Sequence, residues 1–491
     1  MTANPFTIPE APKYDPTVFY LPPAQRVAAD ARYAFLEATV TQIESQCTSE
    51  PGLFVKLSHA NEVYCEPPLS RRELRDLSVS SWERLKNESV RTEPGAFENV
   101  EQTDTDTGFG KHFIREYGSF VRYNPDTQCW LYYEQGAWRE DRDGVVVIGL
   151  MKEMFLERQA EAEQQIAALR PRWESANIED RFFENGNPKA TGRGQVELNA
   201  EERSLGKAWF KAKADYEEAL SGQSTRRANA ALEMARTEDG IAVYTNQWDK
   251  NPFMFNTFAH TVNLQEAVVK PHQFTDLLTM QSLIDLNPGA PCRQFERVLK
   301  RSLPDASVRE YLQDYFGLCL SGLMTPEILI FLGEGANGKG LIVRVISGIL
   351  GSYAGKCSMS SFMTSNSPTP GGARSDLSNL RGKRLVTAAE ANRKVTLDME
   401  MLKDWTGGEE FSARDLYEQA KKGQFKPQGK LILSMNNPPR ITDQSHATWR
   451  RLRYIEFNVI IPASDRNENL AQELLENEGG GIFNWALKGW V

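Results

Sequence analysis

Three short apolar runs stand out along the last third of the chain, each ending in a polar or glycine-rich break. Ile328-Leu-Ile-Phe-Leu332 comes first, followed by a loop with glycines and the apolar stretch Leu341–Leu350. Lys383-Arg-Leu-Val-Thr-Ala-Ala-Glu390 is the second and Lys430-Leu-Ile-Leu-Ser-Met-Asn436 the third. Continuous apolar strands alternating with helices predict an α/β fold with a mainly parallel sheet covered on both faces. A helix over Val308–Phe316, closed by Gly317, is expected just before the first strand.

Upstream the pattern changes. Val145–Leu169 and Asn199–Arg236 have helical periodicity, but their apolar positions do not hold a heptad, so they predict a packed helical hairpin rather than a coiled coil. A polar break lies between them near Asn185–Gly194. Phe120–Tyr123 and Trp130–Tyr133 read as strands joined by the turn Asn124-Pro-Asp126, with Gly136-Ala-Trp138 ending that element. The segment beyond Trp248 reads as mixed and largely helical. At the start, a proline-rich opening from Pro5 to Pro23 precedes expected helices over 24–46 and 70–86, the latter with Ser70 as cap and Glu73 three positions on. Residues 92–110 read as a linker. The expected division is an N-terminal region and linker over 1–110, a mainly helical domain with a small β element over 111–305, an ATPase-type domain over 306–462 and a short helical end over 463–491.

Composition narrows the classes. A chain of 491 residues with 40% hydrophobic and 25% charged residues builds sizeable globular cores. It has no run of eighteen apolar residues, so no membrane partner is expected, and its N-terminus lacks the basic and apolar regions of a secretory signal. The six cysteines form no Cys-x-x-Cys pair and the five histidines do not cluster, which points to reduced thiols in a cytoplasmic protein of a bacterial or phage-infected cell. The net charge of −9 leaves room for nucleic acid, because a narrow channel needs only a local basic lining.

The candidate chemistry follows the strands. Gly333, Glu334, Gly335, Ala336, Asn337, Gly338, Lys339, Gly340 and Leu341 fit strand, G-x-x-x-x-G-K, helix, the arrangement in which backbone N–H groups and a helix N-terminus cradle phosphates. Lys339 is expected to reach the β- and γ-phosphates of ATP. The following position, usually Ser or Thr for Mg²⁺, is Gly340. The metal is then expected on water, phosphates and a carboxylate, with Glu390 as metal-side acid and base for the attacking water. Asn436, ending the third run, is expected to orient that water or sense the γ-phosphate. Arg450, Arg451 and Arg453 form a basic group, of which Arg450 or Arg451 is the candidate to stabilise charge on a phosphate across a subunit boundary. Lys421–Lys430 has four lysines, one aromatic and no acid, and reads as a hairpin tip tracking a DNA backbone, with Lys421, Lys422 and Lys426 on phosphates and Phe425 stacking or wedging.

In this order the segments resemble the phage and plasmid primase-helicases of helicase superfamily 3, related to the poxvirus primase-helicase. Trp248–Asn256, Pro271-His272 and Tyr311–Gly317 are similar to the helical domain ahead of that family's motor. Leu380–Val386 with Glu390, Lys403–Gly408 with Arg414, Phe425–Pro427, Asn436 and Trp449–Arg451 resemble its motor motifs. The resemblance implies an AAA+-like P-loop NTPase that forms a homo-oligomeric ring, usually a hexamer. It further implies 3′-to-5′ translocation on single-stranded or forked DNA, with other replication proteins as partners. It places Lys403, Arg414 and the lysine hairpin toward the DNA channel, and Arg450 or Arg451 in a neighbour's ATP site. Glu409 stands where the family usually has Asp. Asp104-Thr-Asp106 and His59 do not follow the order of the family's primase domain, so primase activity is not expected from this chain. Two other readings compete: a ring ATPase that remodels or loads a protein partner, and a nucleotide-gated replication initiator.

Overall fold

The structure, a computed structural model, describes residues 27–28, 65–66, 77, 105–183, 186–189, 198–364, 377, 379–390, 396–412 and 424–490. The helices expected over 24–46 and 70–86 lie outside these residues, apart from the parallel pairing of Val27–Ala28 with Cys65–Glu66 and the buried Leu77. The chain divides into two compact units, one made of Pro23–Tyr132 and Arg139–Tyr244, the other including Tyr133–Trp138 and Thr245–Val491.

In the first unit, helix α1 (Asp106–Tyr117) begins inside the expected linker. Thr105 makes it start there, since its hydroxyl accepts from Gly108 N at 3.1 Å. Strands β1 (Val121–Asn124), β2 (Cys129–Glu134) and β3 (Ala137–Asp141) form the expected small sheet. The Asp141 carboxylate then accepts from Val146 N and Val147 N at 3.0 and 2.8 Å, starting helix α2 (Val145–Ala176). This helix passes Leu169 and Pro171 because Trp173 is buried in an aromatic cluster, stacked on Trp209 at 5.3 Å. The single helix expected over 199–236 is two, α3 (Ala200–Gly222) and α4 (Thr225–Ala235), because Ser224 caps a new start by accepting from Arg227 N.

The second unit corrects the largely helical reading beyond Trp248. Strands β4 (Met254–Asn256), β5 (His260–Asn263) and β6 (Val268–Pro271) form an antiparallel sheet. Asn263 makes the second turn, its Oδ1 accepting from Gln265 N and Glu266 N at 3.1 and 3.2 Å. Helices α5 (Arg293–Ser302) and α6 (Ala306–Cys319) follow. Gly317 does not close α6. The helix runs through it, and a Cβ there would collide with the backbone of Gly489 and Trp490 in the C-terminal helix.

The parallel sheet is present with five strands. They are β7 (Ile328–Leu332), β8 (Ala354–Lys356), β9 (Leu385–Glu390), β12 (Lys430–Met435) and β13 (Leu452–Glu456), in the order β8-β9-β12-β7-β13 and all parallel. Helix α7 (Lys339–Leu350) follows β7. Helix α8 (Met399–Gly407) and the short antiparallel pair β10 (Phe411–Ser412) and β11 (Gln424–Phe425) lie between β9 and β12. Helix α9 (His446–Trp449) precedes β13, and α10 (Leu470–Trp490) ends the chain. Successive strand residues go to opposite faces. Leu329, Phe331 and Ile432 join a core with α7 and α10, whereas Ile328, Ile330, Leu431 and Leu433 join one with Leu402 and Trp405 of α8. Among the described residues no helix is long and apolar enough to cross a membrane.

Candidate functional site

Strand register brings three of the candidate segments to one edge. Glu390 pairs with Met435, Met435 with Leu332, and Leu332 with Glu456, so these four residues form one rung at the carboxyl ends of their strands. The glycine loop leaves from Leu332, Asn436 follows Met435, and Glu390 is itself the last residue of its strand on that rung. Asn436 is half-buried.

The loop is held by side-chain and backbone contacts. Gly333, Ala336 and Gly338 have φ of 146°, 62° and 94°, the left-handed values that turn successive peptides inward. Asn337 is buried; its Nδ2 donates to Phe457 O at 3.0 Å, and Ile461 N donates to Ala336 O at 2.8 Å. The segment after β13 therefore clasps the loop from outside, a tether that nothing in the sequence pattern marks. Gly338 itself has no side chain to cap α7; Asn337 Oδ1 accepts from Lys339 N at 3.4 Å, and the first-turn amides that follow are placed as donors suited to an anion. Lys339 is buried and its Nζ donates to Gly333 O across the loop; burial lowers its pKa from the ordinary lysine value. Glu334, Gly335 and Ala336 are exposed, and Leu341 is half-buried. Gly340 is exposed, outside the left-handed region, and a Cβ there meets nothing within 4 Å, so neither space nor backbone demands the glycine.

The two candidate arginines are in different surroundings. Arg451 Nε donates to Thr406 Oγ1 at 3.1 Å and its Nη1 to Ala447 O at 2.7 Å, tying α8 to α9. Arg450 is exposed, and its guanidinium has no hydrogen bond or ion pair among the described residues. Arg453 pairs with Glu327 at 2.6 Å.

The expected DNA-side residues separate further. Lys403 forms an ion pair with Asp443, whose carboxyl is held well below the usual range by Lys403 first and then by Thr448 and the Ser445 amide. Phe425 is buried, edge-on to Trp405 at 6.3 Å, which corrects its reading as a stacking or wedging tip. The β10–β11 pairing forms the base of a hairpin, but the hairpin's far end, with Arg414, Lys421 and Lys422, lies outside the described residues. Lys426 is exposed. Lys430, the last lysine of that run, is buried at the start of β12 with its Nζ donating to Ser321 O, so it is part of the fold and not of a basic surface. Among the described residues no group of three or more His, Cys, Asp or Glu side chains is placed to hold a metal. Burial pushes the Cys292 and Cys319 thiols up to about 12, in keeping with inert core cysteines.

Two family models match the chain: "D5 N terminal like" over residues 110–304, and "Family of unknown function (DUF5906)" over residues 331–451. Among curated relatives, "Putative helicase L207/L206" of Acanthamoeba polyphaga mimivirus is 30% identical over 231 residues, covering 46% of this chain and 24% of the relative. "Putative helicase 022R" of Frog virus 3 is 32% identical over 157 residues, 31% of this chain and 16% of that one. "Putative primase C962R" of African swine fever virus is 27% identical over 191 residues, 38% and 19%. The match spans less than a quarter of each of these relatives. The solved structure "The A form apo structure of NrS-1 C terminal region-CTR" aligns at 18% identity and a TM-score of 0.35, covering 52% of this chain and 59% of that one. Over the two matched segments the chain is thus similar to D5-type proteins and to putative helicases and primases of large DNA viruses.

Proposed function

We propose that this chain is an ATP-dependent DNA helicase that works as a ring, translocating 3′ to 5′ on single-stranded DNA during replication of a phage or other mobile element. The observation that carries this reading is the rung Glu390–Met435–Leu332, which sets the loop, Asn436 and Glu390 side by side at one sheet edge. Open α/β sheets bind ligands at the carboxyl ends of their strands. The loop supplies backbone donors and a helix N-terminus for the phosphates of ATP, and Lys339 moves from Gly333 O to the β- and γ-phosphates. Mg²⁺ is shared between the phosphates, water and Glu390, and Asn436 orients the attacking water. Arg450, exposed and without a side-chain partner among the described residues, is the arginine offered to a neighbour's γ-phosphate, whereas Arg451 is engaged at home. Lys403, Arg414, Lys421, Lys422 and Lys426 belong to the DNA side of this reading, Lys403 by exchanging Asp443 for a phosphate.

The test is ATP hydrolysis with and without single-stranded DNA, combined with strand displacement on forked DNA carrying a 3′ or a 5′ tail. Hydrolysis is expected to rise with DNA, and displacement to need the 3′ tail. Lys421 and Lys422 changed together to Ala are expected to keep basal hydrolysis and lose the stimulation. Hydrolysis indifferent to DNA, with no displacement, would instead favour a ring that remodels a protein partner.

A further inference from the structure

We propose that Ser302 is a positioning residue for the phosphate loop, its hydroxyl bonding the loop backbone around Gly338 in the nucleotide-loaded conformation. The inference rests on the reading of Gly333–Gly340 as a nucleotide loop.

Ser302 is the last residue of α5 and is 1% exposed. Its Oγ is buried and has no hydrogen-bond partner among the described residues. It sits directly against the loop: a Cβ added at Gly338 would collide with Ser302 Oγ. Gly338 is the residue before Lys339, with φ of 94°, so the hydroxyl touches the backbone that has to move when Lys339 leaves Gly333 O. A buried hydroxyl without a partner costs stability, and an alanine would occupy the same place without that cost. A hydroxyl kept beside a hinge-like glycine, able to donate or accept, is suited to a loop conformation other than the one it faces here.

The support behind Ser302 is stiff. At the other end of α5, Cys292 offers no side-chain cap, and Glu478 of α10 takes that role, accepting from Gln294 N and Phe295 N at 2.9 Å each. Near Ser302, Arg301 pairs with Asp465 at 2.5 Å. Asp465 lies four residues beyond Ile461, whose amide holds Ala336 O. The helix presenting the hydroxyl and the segment clasping the loop are thus pinned to each other. Loop movement is therefore measured against a fixed hydroxyl.

The experiment is thermal unfolding of wild type, Ser302→Ala and Lys339→Ala, with and without Mg-ADP, together with titration of Mg-ADP binding. Ser302→Ala is expected to unfold at the same or a higher temperature than wild type without nucleotide. It is also expected to bind Mg-ADP about fivefold to tenfold more weakly and to gain less from it, the loss of one hydrogen bond to the loop. Ser302→Thr, which keeps the hydroxyl, is expected to recover affinity. A merely structural serine gives the opposite pair of results, a lower unfolding temperature with unchanged affinity, and that outcome overturns the proposal. A wild type that gains nothing from Mg-ADP and behaves as Lys339→Ala overturns the reading of the loop, and the role of Ser302 with it.

Discussion

The two ends of the parallel sheet use positive charge in opposite ways. At the carboxyl end, Lys339 lies at a loop built of left-handed backbone and is held by one carbonyl of that loop. At the amino end, Arg384 and Lys430 stand beside each other, joined by Lys430 N to Arg384 O at 3.0 Å, and both are buried. Arg384 donates to Leu320 O and to Met254 O, the latter at 2.6 Å, and lies over the Tyr353 ring at 4.3 Å. Lys430 donates to Ser321 O. Leu320 and Ser321 follow the last turn of α6, so two buried basic side chains donate to the carbonyls at the end of that helix. Asp249 stands nearby as counter-charge; burial raises its pKa, against the opposing effects of the Thr279 hydrogen bonds and of Arg384. At this end a cation is consumed by the fold; at the other, on the proposed reading, Lys339 exchanges one loop carbonyl for a phosphate.

Matched substitutions break the comparison most sharply. Lys339→Ala is expected to lower ATP hydrolysis by about a thousandfold or more while leaving the unfolding midpoint close to wild type, read by phosphate release and by thermal melting. Arg384→Ala is expected to do the reverse. It loses two backbone hydrogen bonds and a ring contact and removes one of the two positive charges near Asp249, the other being Lys383, a cost of about 3 kcal/mol in chemical denaturation. Its hydrolysis per folded molecule stays near wild type. If Lys339→Ala unfolds the protein instead, the lysine is a fold residue like Arg384 and the contrast fails.

The arginines offer a second contrast, still large. Arg450→Ala is expected to lower hydrolysis by about a thousandfold with no loss of stability. Mixing it with Lys339→Ala subunits is expected to restore part of the activity, because some interfaces then combine an intact Lys339 with an intact Arg450. Arg451→Ala instead is expected to cost about 1 kcal/mol of stability through its lost bonds to Thr406 and Ala447. Equal defects from both would mean that the difference in their surroundings decides nothing.

Lys430 makes the amino end sensitive to pH. Burial pushes its pKa from 10.5 down to about 7, with Cys319 acting against the shift and Arg384 with it. Between about pH 7 and 10.5 the unfolded chain then holds a proton that the folded chain lacks, so this group makes stability rise with pH across that window. Below pH 7 both states carry the charge and the slope disappears. Lys430→Met is expected to remove the slope, a difference on the order of a few kcal/mol between pH 6.5 and 9.5, read as denaturation free energy of wild type minus variant. Parallel curves would show that Lys430 keeps its charge in the folded state.

The same two ends explain what could be read from the sequence. The central strands were legible because a parallel strand buried on both faces is an unbroken apolar run, as in Ile328–Leu332 and Leu431–Leu433. The turn from Gly333 to Lys339 between strand and helix was legible because its shape is local, set by the residues of its own backbone. The edge strands were not, since Ala354–Lys356 is three residues long and Leu452–Glu456 alternates buried with exposed positions. Phe425 was misread, and the burial of Lys430, the first residue of the expected third strand, was not foreseen, for a physical reason. A run of lysines shows charge, but whether one of them is buried depends on remote acceptors such as Ser321 O, and Phe425 is claimed by Trp405. Asp249 and Asn256 sit in a segment similar to a family motif, and here they hold the fold. Asp249 latches Thr279 N at 2.9 Å, and Asn256 Nδ2 donates to Gly136 O at 2.8 Å.

The smallest expected effect lies at the position that departs most plainly from the usual loop. Gly340 occupies the first turn of α7 in open space, so Gly340→Ser adds a side chain without a clash. Replacing glycine by serine within a helix favours folding by a few tenths of a kcal/mol, roughly 0.5, which thermal melting in the absence of nucleotide should register as a slight gain. If Mg²⁺ is held by phosphates, water and Glu390, as proposed, the new hydroxyl changes hydrolysis by no more than about twofold and leaves the Mg²⁺ concentration for half-maximal rate in place. A much lower Mg²⁺ requirement would mean that the glycine leaves the metal under-coordinated and that the serine repairs it. Arg384 cannot be exchanged in this way, because its neighbours already close around it. The carboxyl end is left open around Gly340, and the amino end is not.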